Sequence, residues 1–119
     1  MSEIVLCQYL LALRGDPWRR VGLTLELQVA TLFSFESRFT WPSSLYPKWV
    51  PGLESAIERA CAQLLDGSDS RGYRAAALTA VEYDDLGTSE YACYIAARRA
   101  IEQWLGLPLT KWQSRSSKS

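Results

Sequence analysis

The 119-residue chain contains no histidine. Without histidine, the Ser-His-Asp and Cys-His arrangements of many hydrolases cannot form, and the usual zinc sites are excluded as well. Neither a P-loop motif nor GxGxxG occurs, so both glycine-rich loops that cradle phosphates are missing. The polar stretch DGSDSRG (66–72) lacks the ligand spacing of a calcium loop and is expected to be a plain turn. These absences predict a protein that is not an enzyme and binds no cofactor or metal.

The chain also lacks net charge, because 13 basic and 13 acidic side chains cancel. A global positive field of the kind that drives non-specific nucleic-acid binding is therefore absent, and any contact with RNA must be local. No apolar run reaches the roughly 18 residues that a membrane span needs. Glu3 stands where a signal peptide would carry positive charge. We expect a cytoplasmic protein with no membrane segment.

Three cysteines, Cys7, Cys61 and Cys93, occur singly among apolar neighbours. This pattern favours buried thiols in a reducing compartment over a disulfide framework. The chain length predicts one domain, which we place at residues 1–110. The polar, serine-rich and basic end, residues 111–119, is expected to be a disordered tail.

The N-terminal third has the pattern of a β-hairpin. Apolar residues occupy seven of the eight odd positions of 21–35, which predicts a half-buried strand with a bend near Ala30 and Thr31. Residues 4–13 are apolar on both faces, and the segment RGDPWRR (14–20) between the two runs holds Gly15 and Pro17. Glycine and proline punctuate strands at turns, so the two runs are expected to pair.

The middle of the chain predicts a connector and a helix. The segment RFTWPSSLYPKWVPG (38–52) holds three prolines and cannot be a helix interior or a central strand. Its aromatic residues are expected to cap the core, with a binding surface as the less common alternative. A helix should begin at Pro51 and stop at Gly67. Its predicted buried stripe consists of Leu53, Ile57, Cys61 and Leu64.

The C-terminal part holds one ambiguous segment and one clear helix. In residues 73–83, the alanines favour helix whereas the tyrosines, Thr79 and Val81 favour strand. The last helix can be capped by Thr88 or Ser89 and should end at Gly106. Its predicted buried stripe consists of Tyr94, Ala97, Ile101 and Leu105.

Several segments, in their order along the chain, resemble domain IV of the elongation factor G family, a domain shared by the related ribosomal-protection factors. The C-terminal half carries most of the resemblance, and the N-terminal half adds the Arg-Gly loop with its following strand and a Phe-x-Phe segment. The segments are RGDPWRRVGLTLELQV (14–29), FSFES (33–37), WVPGLESAIERA (49–60), RGYRAAALTAVEYDD (71–85) and TSEYACYIAARRAIEQWL (88–105).

The resemblance covers roughly residues 5–107 and implies an α+β fold. The implied architecture is a two-layer sandwich of the ribosomal protein S5 domain 2-like type, with about four strands and two main helices. It also places residues 73–83 in a strand. The turn YDDLGTSE (83–90) is shorter than in the family and lacks the family's histidine, and no GTPase domain is present. The resemblance therefore implies a stand-alone binding module and not a translocase.

Two loops are expected to meet at one end of the sheet. Glycine gives the strand-to-helix turn its backbone freedom, and RGDPWRR should lie beside it if the hairpin forms as predicted. One interpretation is charge compensation between two exposed loops, and the other is a contact surface for a partner. The candidate binding residues are Arg14, Gly15, Arg19, Arg20, Asp84, Asp85 and Gly87.

Two functions compete on this sequence. The first is a ribosome- or RNA-associated module, in which arginine forks contact phosphates. The candidate contacts are Arg14, Arg19, Arg20, Arg71 and Arg74.

The second function is a small inhibitor or immunity-type protein that turns an acidic face towards a basic protein partner. No Lys or Arg occurs from residue 75 to 97, so the negative charge of this segment is expected to be uncompensated and to steer such a partner. The same carboxylates could hold magnesium, but a solvated acidic loop is the favoured interpretation. The acidic face consists of Glu82, Asp84, Asp85 and Glu90.

Overall fold

The computed structural model describes residues 4–13, 16–41, 47–66, 71–83 and 89–112. Four strands and two helices account for most of them, and a short 3-10 helix at Pro47–Trp49 precedes the first α-helix. In chain order the elements are β1 (Ile4–Leu13), β2 (Asp16–Val29), β3 (Ser34–Ser37), α1 (Val50–Leu65), β4 (Tyr73–Tyr83) and α2 (Glu90–Leu105).

The four strands form one mixed sheet in the order β1-β2-β4-β3. Antiparallel pairing joins β1 to β2 and β2 to β4, whereas β3 runs parallel to β4. Both helices pack on the same side of the sheet, and the core lies between the two layers. We call the other side the open face. The predicted α+β two-layer sandwich is confirmed.

The alternation in β2 explains which side is buried. Val21, Leu23, Leu25 and Leu27 are at most 2% exposed and face the helices. The residues between them are half-buried and point to the open face, because successive side chains of a strand alternate between its two sides. The predicted half-buried strand is therefore confirmed over this stretch.

The prediction of one bent strand over residues 21–35 is wrong. β2 ends at Val29, and the chain resumes as a separate strand at Ser34. β2 pairs with one edge of β4 and β3 with the other, so the chain crosses the end of β4 between them. At the crossing, the Ala30 amide donates to the Gly72 carbonyl at 3.0 Å. Hydrophobic alternation identifies a strand but does not identify its partner.

Helix α1 follows the predicted pattern at its start and along its buried side. Proline lies in its first turn, where a missing amide proton is tolerated. Leu53, Ile57 and Cys61 are buried as predicted, and Leu64 is half-buried. The helix ends at Leu65, which is fully buried and was not in the predicted stripe. The predicted stop lies outside the described residues.

Residues 73–83 form a strand, β4, as the resemblance implied. In α2, the Ser89 hydroxyl caps the first turn by accepting from the Ala92 amide at 3.1 Å. Gly106 ends the helix in the left-handed region with φ of 78°, where glycine is favoured. No helix in the described part of the chain is long and apolar enough to cross a membrane.

The chain beyond α2 turns back along that helix. The Leu107 amide donates to the Glu102 carbonyl at 2.9 Å, and the Trp112 ring lies 4.6 Å from the Tyr91 ring near the start of α2. Packing therefore extends to Trp112, the second residue of the segment predicted to be a disordered tail. Residues 113–119 lie outside the described part.

Candidate functional site

The β1–β2 hairpin projects beyond the end of β4. The last residue of β4, Tyr83, pairs with Val21, whereas β2 begins five residues earlier at Asp16. Beyond Val21, the described pairs of the hairpin are Arg20 with Ala12 and Asp16 with Leu13, with an irregularity in the register between them. The hairpin end and the end of β4 therefore lie at the same end of the sheet, as the sequence predicts.

One ion pair joins these two elements. The Arg20 guanidinium lies 3.3 Å from the Glu82 carboxylate, and the two side chains are 54% and 68% exposed. An exposed pair of this kind stabilises a protein by about 1 kcal/mol at most. The expectation of uncompensated negative charge in residues 75–97 is therefore wrong for Glu82. Compensation comes from a strand 62 residues earlier in the chain, which a local charge count does not detect.

The seven candidate binding residues of the two loops are described only in part. Arg14, Gly15, Asp84, Asp85 and Gly87 lie outside the described residues. Arg19 belongs to β2. Arg20 is therefore the member of this set whose side-chain contacts are described, and it binds a carboxylate of its own sheet.

The described members of the predicted acidic face lie in different layers. Glu82 pairs with Gly22 on the open face of the sheet, whereas Glu90 begins α2 in the helical layer. The Glu90 side chain lies against Gly52 in the first turn of α1, with its Cδ 3.0 Å from where a Cβ on Gly52 would stand. Among the residues that the structure describes, no cluster of His, Cys, Asp or Glu side chains could hold a metal ion.

Two further predicted phosphate contacts, Arg71 and Arg74, lie at the opposite end of the sheet. The Arg71 guanidinium stacks 5.5 Å from the centre of the Trp104 ring, and Arg74 donates to the Ala30 carbonyl at 3.5 Å. At about 3.3 Å per residue, the length of β4 separates them from Glu82 by roughly 30 Å. Arg20 therefore lies far from Arg71 and Arg74, so the described arginines do not form one site.

A shallow groove of about 340 Å³ crosses β1, β2 and β4 on the open face. Gly22 forms part of its floor, because a Cβ there would lie 3.2 Å from Leu10 Cδ1 and 3.3 Å from Glu82 Cβ. The Arg20–Glu82 pair thus borders the groove. The open-face side chains around it belong to Gln8, Leu10, Thr24, Ala80 and Glu82.

A second charged cluster lies at the β3 side of the open face. The Arg38 guanidinium contacts Glu36 at 2.5 Å and Glu26 at 3.0 Å. The hydrogen bond that Arg38 donates to Glu36, together with the negative charge of that carboxylate, raises the pKa of Arg38 above its ordinary value. Arg20 and Glu82 complete a charge pattern of two guanidiniums and three carboxylates, so the described open face is not a basic surface.

All three thiols are free and buried, as predicted. Burial raises the pKa of Cys7 from 9.0 to about 11 and that of Cys93 to about 12, and the pKa of Cys61 is raised for the same reason. A thiol is nucleophilic only as its thiolate. At neutral pH these side chains are therefore inert apolar groups.

Sequence reasoning missed a buried polar network around Glu102, which is 2% exposed. Its carboxylate accepts from the Thr110 amide at 2.8 Å and lies 3.0 Å from the Arg98 guanidinium. Arg98 also donates to Gln63 of α1 at 2.7 Å, and so links both helices to the C-terminal segment. In a sequence, an Arg and a Glu four residues apart predict an exposed ion pair on a helix. Glu102 is buried because the C-terminal segment packs against it, and the helical spacing does not indicate that contact.

Neither a protein-family model nor a curated protein sequence matches the chain. Similar solved structures include the crystal structure of ttk003000868 from Thermus thermophilus, with a TM-score of 0.52 and 22% identity over 86% of this chain. The chain spans 15% of the length of that protein. This likeness shows the fold alone, an α+β sandwich with a four-stranded mixed sheet and two helices.

Proposed function

We propose that the chain is a non-catalytic binding module resembling domain IV of elongation factor G, and that it binds the ribosome through its hairpin end. The projection of β1 and β2 past β4 is the observation that carries this proposal. A projecting end can enter a concave surface that the flat sides of the sandwich cannot reach.

Local charge supports a partner that presents phosphates. The hairpin segment RGDPWRR (14–20) carries three arginines and one aspartate in a chain whose net charge is zero. Even after Glu82 has paired with Arg20, the segment keeps an excess of positive charge. Arginine suits phosphate because its planar fork binds two oxygens at once.

The rest of the molecule supports a function in binding rather than in catalysis. The buried thiols are held neutral, so they are not nucleophiles at neutral pH. We also propose a cytoplasmic location, because free cysteines are typical of a reducing compartment. The open face balances its charges internally and offers no basic surface to RNA among the described residues.

Cosedimentation with ribosomes at two salt concentrations tests the proposal. The intact chain should bind at low salt and dissociate as salt rises. An Arg14→Ala/Arg19→Ala variant should flatten the dependence of log affinity on log salt by about 0.7 to 0.9 for each phosphate that it no longer neutralises. The matched control, Arg71→Ala/Arg74→Ala, removes the same charge at the far end of the sheet and should bind like the intact chain. Absence of binding at low salt, or equal effects of both pairs, would refute the proposal.

A further inference from the structure

The two edges of the sheet differ in how they are protected from pairing with another strand. β3 is only four residues long, and Glu36 and Arg38 place charge on and beside it. β1 is ten residues long and contains no charged residue, proline or glycine. Short length, charge and proline are the usual devices that keep an edge strand single. β1 has none of them, and within the described ranges no strand pairs with its outer edge.

An apolar column runs along this edge on the open face. Ile4, Leu6 and Leu10 are 54%, 60% and 47% exposed. A single exposed leucine is ordinary on a protein surface, but these three residues lie on the same strand. They pair with Gln28, Glu26 and Gly22 of β2, which places all three on the open face and along one strand. Three exposed apolar side chains along one edge strand, with the uncharged Gln8 between Leu6 and Leu10, are typical of a contact surface.

We propose that β1 pairs antiparallel with β1 of a second copy of this chain, so that two four-stranded sheets join into one. The order Leu6-Gln8-Leu10 on the open face reads the same in both directions. A two-fold axis at Gln8 therefore sets Leu6 opposite Leu10 of the second copy, and Gln8 opposite its own counterpart. Residues directly opposite in antiparallel strands point to the same side, so these leucines cover one another.

The same symmetry favours a second copy over an unrelated strand. On the helix-facing side, the axis sets Val5 opposite Leu11 of the second copy and Cys7 opposite its Tyr9. The residues that pair near the axis are therefore uncharged on both faces of the sheet. Interfaces with two-fold symmetry require such self-complementarity. A net charge of zero adds no repulsion between the copies.

The proposed dimer leaves the hairpin ends accessible. Antiparallel pairing points the two β1–β2 hairpins in opposite directions, away from the axis at Gln8. Dimerisation and binding at the hairpin end therefore use different residues. Failure of one proposal does not entail failure of the other.

Sedimentation equilibrium measures the proposed association directly. The intact chain should have twice its monomer mass of 13.4 kDa, and a Leu6→Lys/Leu10→Lys variant should raise the dimer dissociation constant at least about tenfold. Leu32→Lys is the matched control, because Leu32 is 78% exposed and lies outside β1. Far-UV circular dichroism should show the fold unchanged in all three proteins. A mass of 13.4 kDa at every concentration, or a dimer that the double variant leaves intact, would overturn the proposal.

Disulfide crosslinking tests the position of the axis. Opposed residues of antiparallel strands have Cα atoms about 4.5 to 5.5 Å apart, within reach of a disulfide. Gln8→Cys should therefore give a covalent dimer under mild oxidation. Thr24→Cys should not, because Thr24 lies one strand further from the edge, opposite Gln8 within the same chain. A dimer whose Gln8→Cys form does not crosslink would overturn the proposed register, and a monomer that pairs only with a foreign peptide would overturn the choice of partner.

Discussion

Replacement of Glu102 by alanine should destabilise the protein by about 2 to 4 kcal/mol and loosen the C-terminal segment. The Glu102 carboxylate accepts from the Thr110 amide at 2.8 Å and from the Thr110 hydroxyl at 2.5 Å. It also accepts from Arg98 Nε at 3.1 Å. These contacts join α2 to the residues that return along it, so truncation removes several bonds at once.

The magnitude follows from what truncation leaves behind. A buried donor left without its acceptor costs about 1 to 3 kcal/mol, and removing one partner of a buried ion pair costs about 3 to 5 kcal/mol. The second figure is an upper bound here, because Arg98 is 23% exposed and keeps its bonds to Gln63 and the Thr110 hydroxyl. In a domain of this size each kcal/mol corresponds to about 4 °C in Tm, so Tm should fall by about 8 to 16 °C.

Urea unfolding of Glu102→Ala, together with its thermal melt, measures the loss. Glu36→Ala is the matched control, because Glu36 also pairs with an arginine but its side chain is 61% exposed. Its removal should change the free energy of unfolding by less than about 1 kcal/mol. Hydrogen exchange at the Thr110 amide should accelerate in Glu102→Ala alone. Equal losses in the two variants would show that the buried network has no special role and would refute the reasoning.

Three further predictions concern other parts of the molecule. Because burial raises the pKa of Cys7 from 9.0 to about 11, the unfolded chain ionises first as pH rises. The Cys7 thiol should therefore contribute a fall in the free energy of unfolding of up to about 1.4 kcal/mol per pH unit between those values, measured in urea titrations as the difference in slope between the intact chain and Cys7→Ala. Gly106→Ala should lower stability by about 1 kcal/mol in the same assay, because φ at this position is 78°. A double-mutant cycle on Arg20 and Glu82 should give a coupling of about 0.2 to 1 kcal/mol that weakens with salt, and a coupling that salt does not change would contradict the exposed geometry.

Local patterns predicted the faces of most elements. The alternation in β2 identified Val21 to Leu27 as a strand with one buried side, and helical spacing identified Leu53, Ile57 and Cys61 in α1. Both patterns depend only on the backbone period, which is fixed within each element. The Ser89 cap and the Gly106 stop were predictable for the same reason, because each satisfies needs of the adjacent helix turn.

Local propensity did not decide β4. Ala76, Ala77 and Leu78 favour helix in isolation, yet they are at most 4% exposed in an interior strand. β4 has neighbours on both edges, β2 and β3, and their backbone groups complete its hydrogen bonds. Its conformation therefore depends on strands that lie far away in the sequence, and only the resemblance to a known fold indicated them.

The sequence identifies each charged residue, but it does not predict the charge of the surface that these residues form. The segment around Glu82 has no nearby cation in the sequence, yet the register of β2 supplies Arg20. Glu102 has an ordinary helical partner in Arg98, yet the returning chain buries Glu102 and brings Thr110 into contact with both. In each case a contact across the fold changes the charge that a partner would encounter. Recognition is therefore expected where the fold adds no such contact among the described residues, as at the exposed leucines of β1 on the open face.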